Sequence, residues 1–235
     1  GDGKAEKITL SQNTADGISS ENSDVSKGRG SFPYDNYRLQ AGEDQTGENF
    51  LTGSARSLSN CMWVFSPDGN RIFLALYAEG SGIDPETLIF SYSSGKLTEA
   101  GRIQDDLRYC TIEDGLIRGT TILYDAMMPL YIETFYRIEE DGKIKQEYRE
   151  TIDLVECQGE LLVSLPLHTA PGSEEIYYLE PQSVTLMKTD STHQWLYLEG
   201  ENGEGGWFYT EGANESRIAE LDMPADEVFE LYYAG

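Results

Sequence analysis

Two histidines, three cysteines and a few paired acids are the side chains of this sequence with the means for acid–base or nucleophilic chemistry. Cys157 with His168 would suit a cysteine peptidase, in which an imidazole activates a thiol. The Asp-Cys-Ser/Gly-Gly setting and the helix start of such a nucleophile are absent, so His168 and His193 read as loop residues among polar neighbours. Gly-x-Ser-x-Gly, a Walker loop and HExxH are absent too. Asp105-Asp106 and Glu139-Glu140 fall at turns, where solvated acids are ordinary; a glycosidase pair, defined by separation in space, stays open. Cys61, Cys110 and Cys157 are too few and too widely spaced for a disulfide framework or a metal cluster. Each lies in an apolar, strand-like context that buries a free thiol, with a Cys61–Cys110 bridge as the alternative. No catalytic residue, metal or cofactor is expected.

Aromatic residues form the candidate binding set: Tyr177, Trp195, Tyr197, Trp207 and Tyr209. The last four fall on two strands joined by one hairpin, so alternate positions share a face and make a ring-lined groove. Such grooves take extended peptides or sugars on large rigid rings with a polar edge. Trp207, after Gly206, reads as core; Trp195, Tyr197 and Tyr177 or Tyr178 read as exposed. Taken singly, each ring is better explained by filling a small core.

The elements that position these rings come from the stretch Ser183 to Tyr209. Val184, Leu186, Trp195 and Tyr197 alternate with polar neighbours, the period-two pattern of half-buried strands. Thr189-Asp190-Ser191 is turn chemistry, and Asn202-Gly203 predicts a type I′ hairpin with positive φ at both central residues. Upstream, strands are predicted at 62–65, 71–78, 87–92, 97–103, 109–112, 116–123, 130–138 and 143–154. Turns at Asp68-Gly69, Ser93 to Lys96, Asp114-Gly115 and Glu140 to Gly142 separate them. Short strands with glycine at the turns argue an all-β, antiparallel protein. Residues 11–30 and 42–53 are polar and read as loops, with the organised core beginning near Leu58.

Leu165 to Ser173, Ile176 to Leu179, Ser183 to Leu186, Trp195 to Leu198 and Asn202 to Phe208 resemble a bacterial SH3-type domain. The resemblance implies a small β-barrel over about the last third of the chain. Gln182 stands where that family has glycine, and the tail from Ile218 lies outside the usual module, as strands or a strap packing back. Trp63 to Leu74 and Ser94 to Ile103 resemble propeller-blade hairpins, although about 150 residues is too short for a full propeller, so an open meander is expected. Gly1 to Leu10 is similar to a calcium-turn repeat, yet Asp2 and Glu6 alone cannot supply 6–8 oxygens. The whole layout, ending at Glu227 to Gly235, resembles uncharacterised secreted or lipid-anchored, clostridial-type proteins of Gram-positive bacteria, which carry no established activity.

Composition bounds the rest. The 235 residues allow one or two domains, and no run approaches the ~18 apolar residues of a membrane helix. A net charge of -25 disfavours nucleic acid as a partner. After Cys157, 15 acids face only Lys188 and Arg217, a surface that is solubilising or attracts amines. Opening on Gly1 without Met, the chain is expected to have lost an upstream piece, and whether that was a signal or lipid-anchor segment stays open. Three segments are expected: an N-terminal β segment (1–57), a β-meander (58–156) and an SH3-like barrel with a C-terminal extension (157–235). The function expected is non-enzymatic binding outside the cell, with or without a lipid anchor, to cell-wall peptide or a partner protein. The alternatives are a cell-envelope hydrolase with an acidic site in the meander, and a structural spacer.

Overall fold

Period-two alternation becomes paired strand through most of the chain, and the pairings are antiparallel. A computed structural model describes residues 8–14, 34–41, 50–56, 58, 62–67, 71–79, 85–93, 96–124, 126–211 and 216–233. Asp2 and Glu6 of the calcium-like turn, most of the polar stretch 11–30, Cys61 and the Asp68-Gly69 turn lie outside these residues. The chain divides into two units, residues 1–119 with 135–147 and residues 120–134 with 148–235.

The first unit holds β1 (Ile8–Thr14), β2 (Tyr34–Ala41), β3 (Phe50–Arg56), β4 (Met62–Phe65), β5 (Ile72–Glu79), β6 (Pro85–Ser93) and β7 (Lys96–Ile103). Their order is β1-β2-β3-β5-β6-β7, with β4 also on β5. β5 and β6 are apolar on consecutive residues because both their faces are covered. Leu74, Leu76, Leu88 and Phe90 join one core cluster, while Phe73, Ala75 and Ile89 join the other. Ser11–Thr14 and residues 50–53 are strand where composition reads as loop. Leu10 pairs with Leu39 and Leu39 with Leu51, so ladder pairing overrides a polar local sequence. The core accordingly begins at Tyr37 and Leu39, ahead of Leu58.

A 3-10 turn at Leu107–Tyr109 replaces the start of the strand predicted from residue 109. Next come β8 (Thr111–Glu113), β9 (Leu116–Leu123), β10 (Leu130–Ile138) and β11 (Ile144–Gln146). Asp114 and Gly115 have φ of 49° and 75°, the two-residue turn that the sequence predicts. The chain passes from the first unit to the second within β9, returns within β10, and leaves again after Glu147.

The second unit continues with β12 (Thr151–Leu161), β13 (Leu165–His168), β14 (Ile176–Leu179), β15 (Ser183–Asp190), β16 (Trp195–Gly200), β17 (Gly205–Glu211), β18 (Arg217–Ile218) and β19 (Met223–Pro224). One helical turn, α1 (Ala225–Val228), leads into β20 (Phe229–Tyr233). The order is β14-β13-β17-β16-β15-β12, and β20 returns to pair with β12, so the tail is a strap along the first strand of the module. Among the described residues no sheet closes into a barrel. Leu165, Leu167, Leu179, Val184, Leu186, Leu196, Leu198 and Phe208 project to one side and form the core with Val228 and Phe229.

The Asn202-Gly203 hairpin forms by a different turn from the one predicted. Gly203 alone has positive φ, 76°, and donates to the Gly200 carbonyl at 3.0 Å, while Gly200 donates to Glu204 at 2.8 Å. This is a three-residue loop with one left-handed glycine, which leaves Asn202 unstrained. Gly206 is required by packing: a Cβ there would lie 2.9 Å from the His168 carbonyl oxygen and 2.9 Å from Leu167 Cβ. Gly206→Ala is expected to push β13 off β17 at about 1–3 kcal/mol, read as a lowered urea midpoint with unchanged slope.

Candidate functional site

Register decides which rings meet. Directly opposed residues of antiparallel strands share a face, and β16–β17 pairing sets Trp195 against Tyr209 and Tyr197 against Trp207. β13–β17 pairing adds His168 opposite Trp207. All five lie on the face turned away from the Leu196, Leu198 and Phe208 core, hereafter the outer face. Edge contacts lock the row: ring centroids are 5.1 Å apart for His168–Trp195, 5.2 Å for Trp195–Tyr209 and 5.4 Å for Tyr197–Trp207. Tilted and T-shaped pairs of this kind add about 0.5–1.5 kcal/mol each beyond their area. Trp207, 9% exposed, is the buried member, while Trp195, Tyr197 and Tyr209 are partly accessible.

Tyr177 is not brought to this row. It pairs with Leu167, packs against the core on the opposite face, and its hydroxyl donates to the Gly205 carbonyl. Its neighbour Tyr178 pairs with Pro166, stands on the outer face and is 67% exposed. Consecutive tyrosines on one strand point to opposite faces, and only the pairing register says which faces out.

Three further residues hold the row in place, of which sequence reading passes over one, Glu220. Asp190 Oδ1 accepts from the backbone N–H of Gln194 at 3.2 Å and of Trp195 at 3.1 Å, fixing the loop that delivers Trp195. His193 takes φ of 62° in that loop, so one of the two histidines serves a turn. Glu220 Oε1 accepts from the Tyr209 N–H at 2.7 Å and lies 3.3 Å from His168 Nε2. β13 ends at His168 and β18 begins pairing at Thr210, so the carboxylate stands in for a strand carbonyl in the gap between them. The other imidazole nitrogen, Nδ1, lies 2.5 Å from the Ser173 carbonyl. Burial raises the Glu220 pKa above the ordinary carboxyl range, opposed by its hydrogen bonds and His168. Its Oε2 is buried without a partner. The motif Asp190-x3-Gln194 between apolar strands is the one sequence signal for any of this, as a side-chain-capped turn.

The outer face continues beyond the rings. Tyr232, Gln158, Thr185 and Glu199 stand opposite one another across β20, β12, β15 and β16, and Glu160 stands opposite Ser183 in the next row. A register shift between Leu186 and Lys188 lets Leu186 and Thr189 face the core while Lys188 turns out beside Tyr197, its Nζ 6.0 Å from the ring centre. The rows enclose a depression of about 300 Å³.

The nucleophile candidates face inward. Cys157 belongs to the second unit's core, and burial pushes its thiol up to about 11. In the first unit burial, reinforced by Asp105, pushes Cys110 up to about 12. Both are thiols at neutral pH, the reverse of an activated nucleophile. Asp106 caps the 3-10 turn through the Arg108 N–H and pairs with the Arg108 guanidinium. Asp105 Oδ1 accepts from the Asp106 N–H at 2.7 Å, and the Glu139 and Glu140 carbonyls receive Arg71 Nη1. Asp105 and Asp106 are therefore engaged in local structure through their carboxylates, while Glu139 and Glu140 contribute backbone carbonyls. Among the described residues no three His, Cys, Asp or Glu are grouped to hold a metal, and no helix is long and apolar enough to cross a membrane.

Fold and site define an all-β, antiparallel protein with a ring-lined outer sheet face. No family model, curated protein or solved structure matches the chain.

Proposed function

We propose that the second unit is a non-enzymatic, extracellular binding module of the SH3 type, which takes an extended cell-wall peptide across Trp195, Tyr197 and Tyr209. The observation that carries this reading is the row of partly accessible, mutually braced rings on a sheet face opposite the core. Rigid aromatics bind with little entropy to lose, which is why they dominate binding hot spots. The strand plan supports the SH3 comparison: a hairpin inserted between β12 and β15, the meander β15-β16-β17, and one helical turn before β20 returns to β12. In the same reading the β4–β5 and β6–β7 hairpins of the first unit are blade-like. Placement outside the cell, with or without a lipid anchor, rests on the sequence resemblance.

Sedimentation with insoluble peptidoglycan tests the reading at low and at high salt. The protein is expected in the pellet under both conditions, because aromatic contact is insensitive to screening. Trp195→Ala is expected to weaken retention by roughly thirtyfold, the loss of one hot spot of about 2 kcal/mol. Absence from the pellet at both salt levels removes cell-wall peptide and leaves a protein partner as the ligand.

A further inference from the structure

The partners of His168 fix where its hydrogens sit. Nδ1 lies 2.5 Å from the Ser173 carbonyl oxygen, and a carbonyl only accepts, so Nδ1 carries the hydrogen and donates it. In a neutral imidazole Nε2 is then a bare acceptor. It faces Glu220 Oε1 at 3.3 Å, an oxygen that already accepts from the Tyr209 N–H at 2.7 Å. An ionised carboxylate and a bare ring nitrogen only accept, and their side chains, 9% and 14% exposed, have little water to separate them. The contact therefore holds one proton, as a carboxyl beside a neutral imidazole or as a carboxylate beside an imidazolium. Both forms have the same net charge, and the pair titrates as a unit.

Among the described residues nothing nearby takes that proton's place. His168 is the one ionisable side chain that acts on Glu220. Tyr209 reaches Glu220 through its backbone and gives its hydroxyl to Gln194 Oε1 at 3.0 Å. Arg217 is held by Asp222, and Asp190 by the Gln194 and Trp195 N–H groups and the Thr192 hydroxyl. Glu174 and Glu175, in the turn beyond Nδ1, are exposed. Glu220 Oε2 is buried without a partner, so ionisation finds no second donor. The imidazole in turn meets Trp195 edge-on, with ring planes at 88°, so the proton holds a member of the ring row.

We propose that the ring row is proton-gated: the proton shared by His168 and Glu220 keeps Trp195 in the braced arrangement that binds, and its loss turns His168 away and releases the row. As a control on ligand binding this rests on the ring row being the binding surface; as a property of the row it stands alone. The braced form holds one more proton than the released form. It is therefore complete at low pH and is lost as pH rises through the midpoint of the pair, about tenfold for each pH unit beyond it. Burial of Glu220, which raises its pKa, acts in the same sense.

Nuclear magnetic resonance of the full chain tests the gate without a ligand. A long-range proton–nitrogen correlation reads both nitrogens of each imidazole from about pH 5 to about pH 9, either side of the ordinary imidazole range. The signals lost in His193→Asn, a residue that tolerates the positive φ at that position, identify the other histidine. Below the midpoint His168 is expected to carry a hydrogen on Nδ1, and the Trp195 indole N–H resonance is expected to move together with the His168 nitrogens. Glu220→Gln offers a fixed N–H in the proton's place and keeps an acceptor for Tyr209, so it should hold the indole resonance at its low-pH position throughout. Peptidoglycan retention should follow: about tenfold weaker in wild type for each pH unit above the indole midpoint, and equal at both ends of the range in Glu220→Gln. Thermal melts establish that each variant is folded. A hydrogen confined to Nε2 below the midpoint, an indole resonance that does not follow His168, or an unchanged midpoint in Glu220→Gln would overturn the proposal. Retention absent at every pH while the indole still follows His168 removes the cell wall as the ligand and leaves the gate standing.

Discussion

Phe208→Ala is expected to destabilise the second unit by about 3–5 kcal/mol, the range for emptying a buried phenylalanine site whose walls relax only in part. Phe208 is fully buried, stands opposite Leu196 in the β16–β17 ladder, and packs against Phe229 in a tilted pair with ring centroids 5.3 Å apart. Through Phe229 it joins the central meander to the strap β20, so the cavity would loosen the closing strand as well as the core. A domain is stable by only about 5–15 kcal/mol, and a loss of this size leaves the unit marginal. Trp195→Ala removes a larger side chain but a partly exposed one, and should cost much less stability while costing binding. Urea unfolding of both variants checks the contrast. A loss below about 1 kcal/mol for Phe208→Ala would mean that the face assigned to the core is wrong.

That contrast marks where the sequence is informative. Alternation gave most strands from Met62 to Ile138 but ran β11 and β12 together as one strand at 143–154, and Asp114-Gly115 gave its turn, because both signals are local. Alternation also separates Leu196, Leu198 and Phe208 from Trp195, Tyr197 and Tyr209. It cannot say that Tyr178 rather than Tyr177 joins the outer face, since a shift of one residue in pairing exchanges them. Long-range pairing likewise made strand of Ser11–Thr14 and of residues 50–53, whose own composition argues for loop. Glu220 was silent in sequence for a related reason. It acts where β13 stops and β18 starts, a gap that exists only once residues far apart in the chain are side by side.

Glu220 also supplies the sharpest pH test. Its side chain is 9% exposed, and Oε1 serves both the Tyr209 N–H and His168 Nε2, so Glu220→Ala leaves these two poorly solvated groups each without a partner. The expected cost is about 1–3 kcal/mol for each. Burial outweighs the hydrogen bonds and His168, and the native carboxyl holds its proton above the ordinary value of 4.5. Between that value and the raised one, the unfolded chain has released its proton and the native chain has kept it. Native binds more protons than unfolded, so this group's stabilisation is complete below pH 4.5 and is lost as pH rises through the native pKa. Ionisation leaves the buried Oε2 charged without a donor, which is the physical source of the loss. Glu220→Gln keeps an acceptor for Tyr209 and cannot ionise. It is therefore expected to flatten the fall in urea midpoint above pH 4.5 while remaining more stable than Glu220→Ala. Equal slopes in wild type and Glu220→Gln would place the proton elsewhere. Because His168 also holds the Ser173 carbonyl through Nδ1, losing the Glu220 contact should loosen the 169–175 turn, so ring-face binding should weaken in Glu220→Ala even where the fold survives.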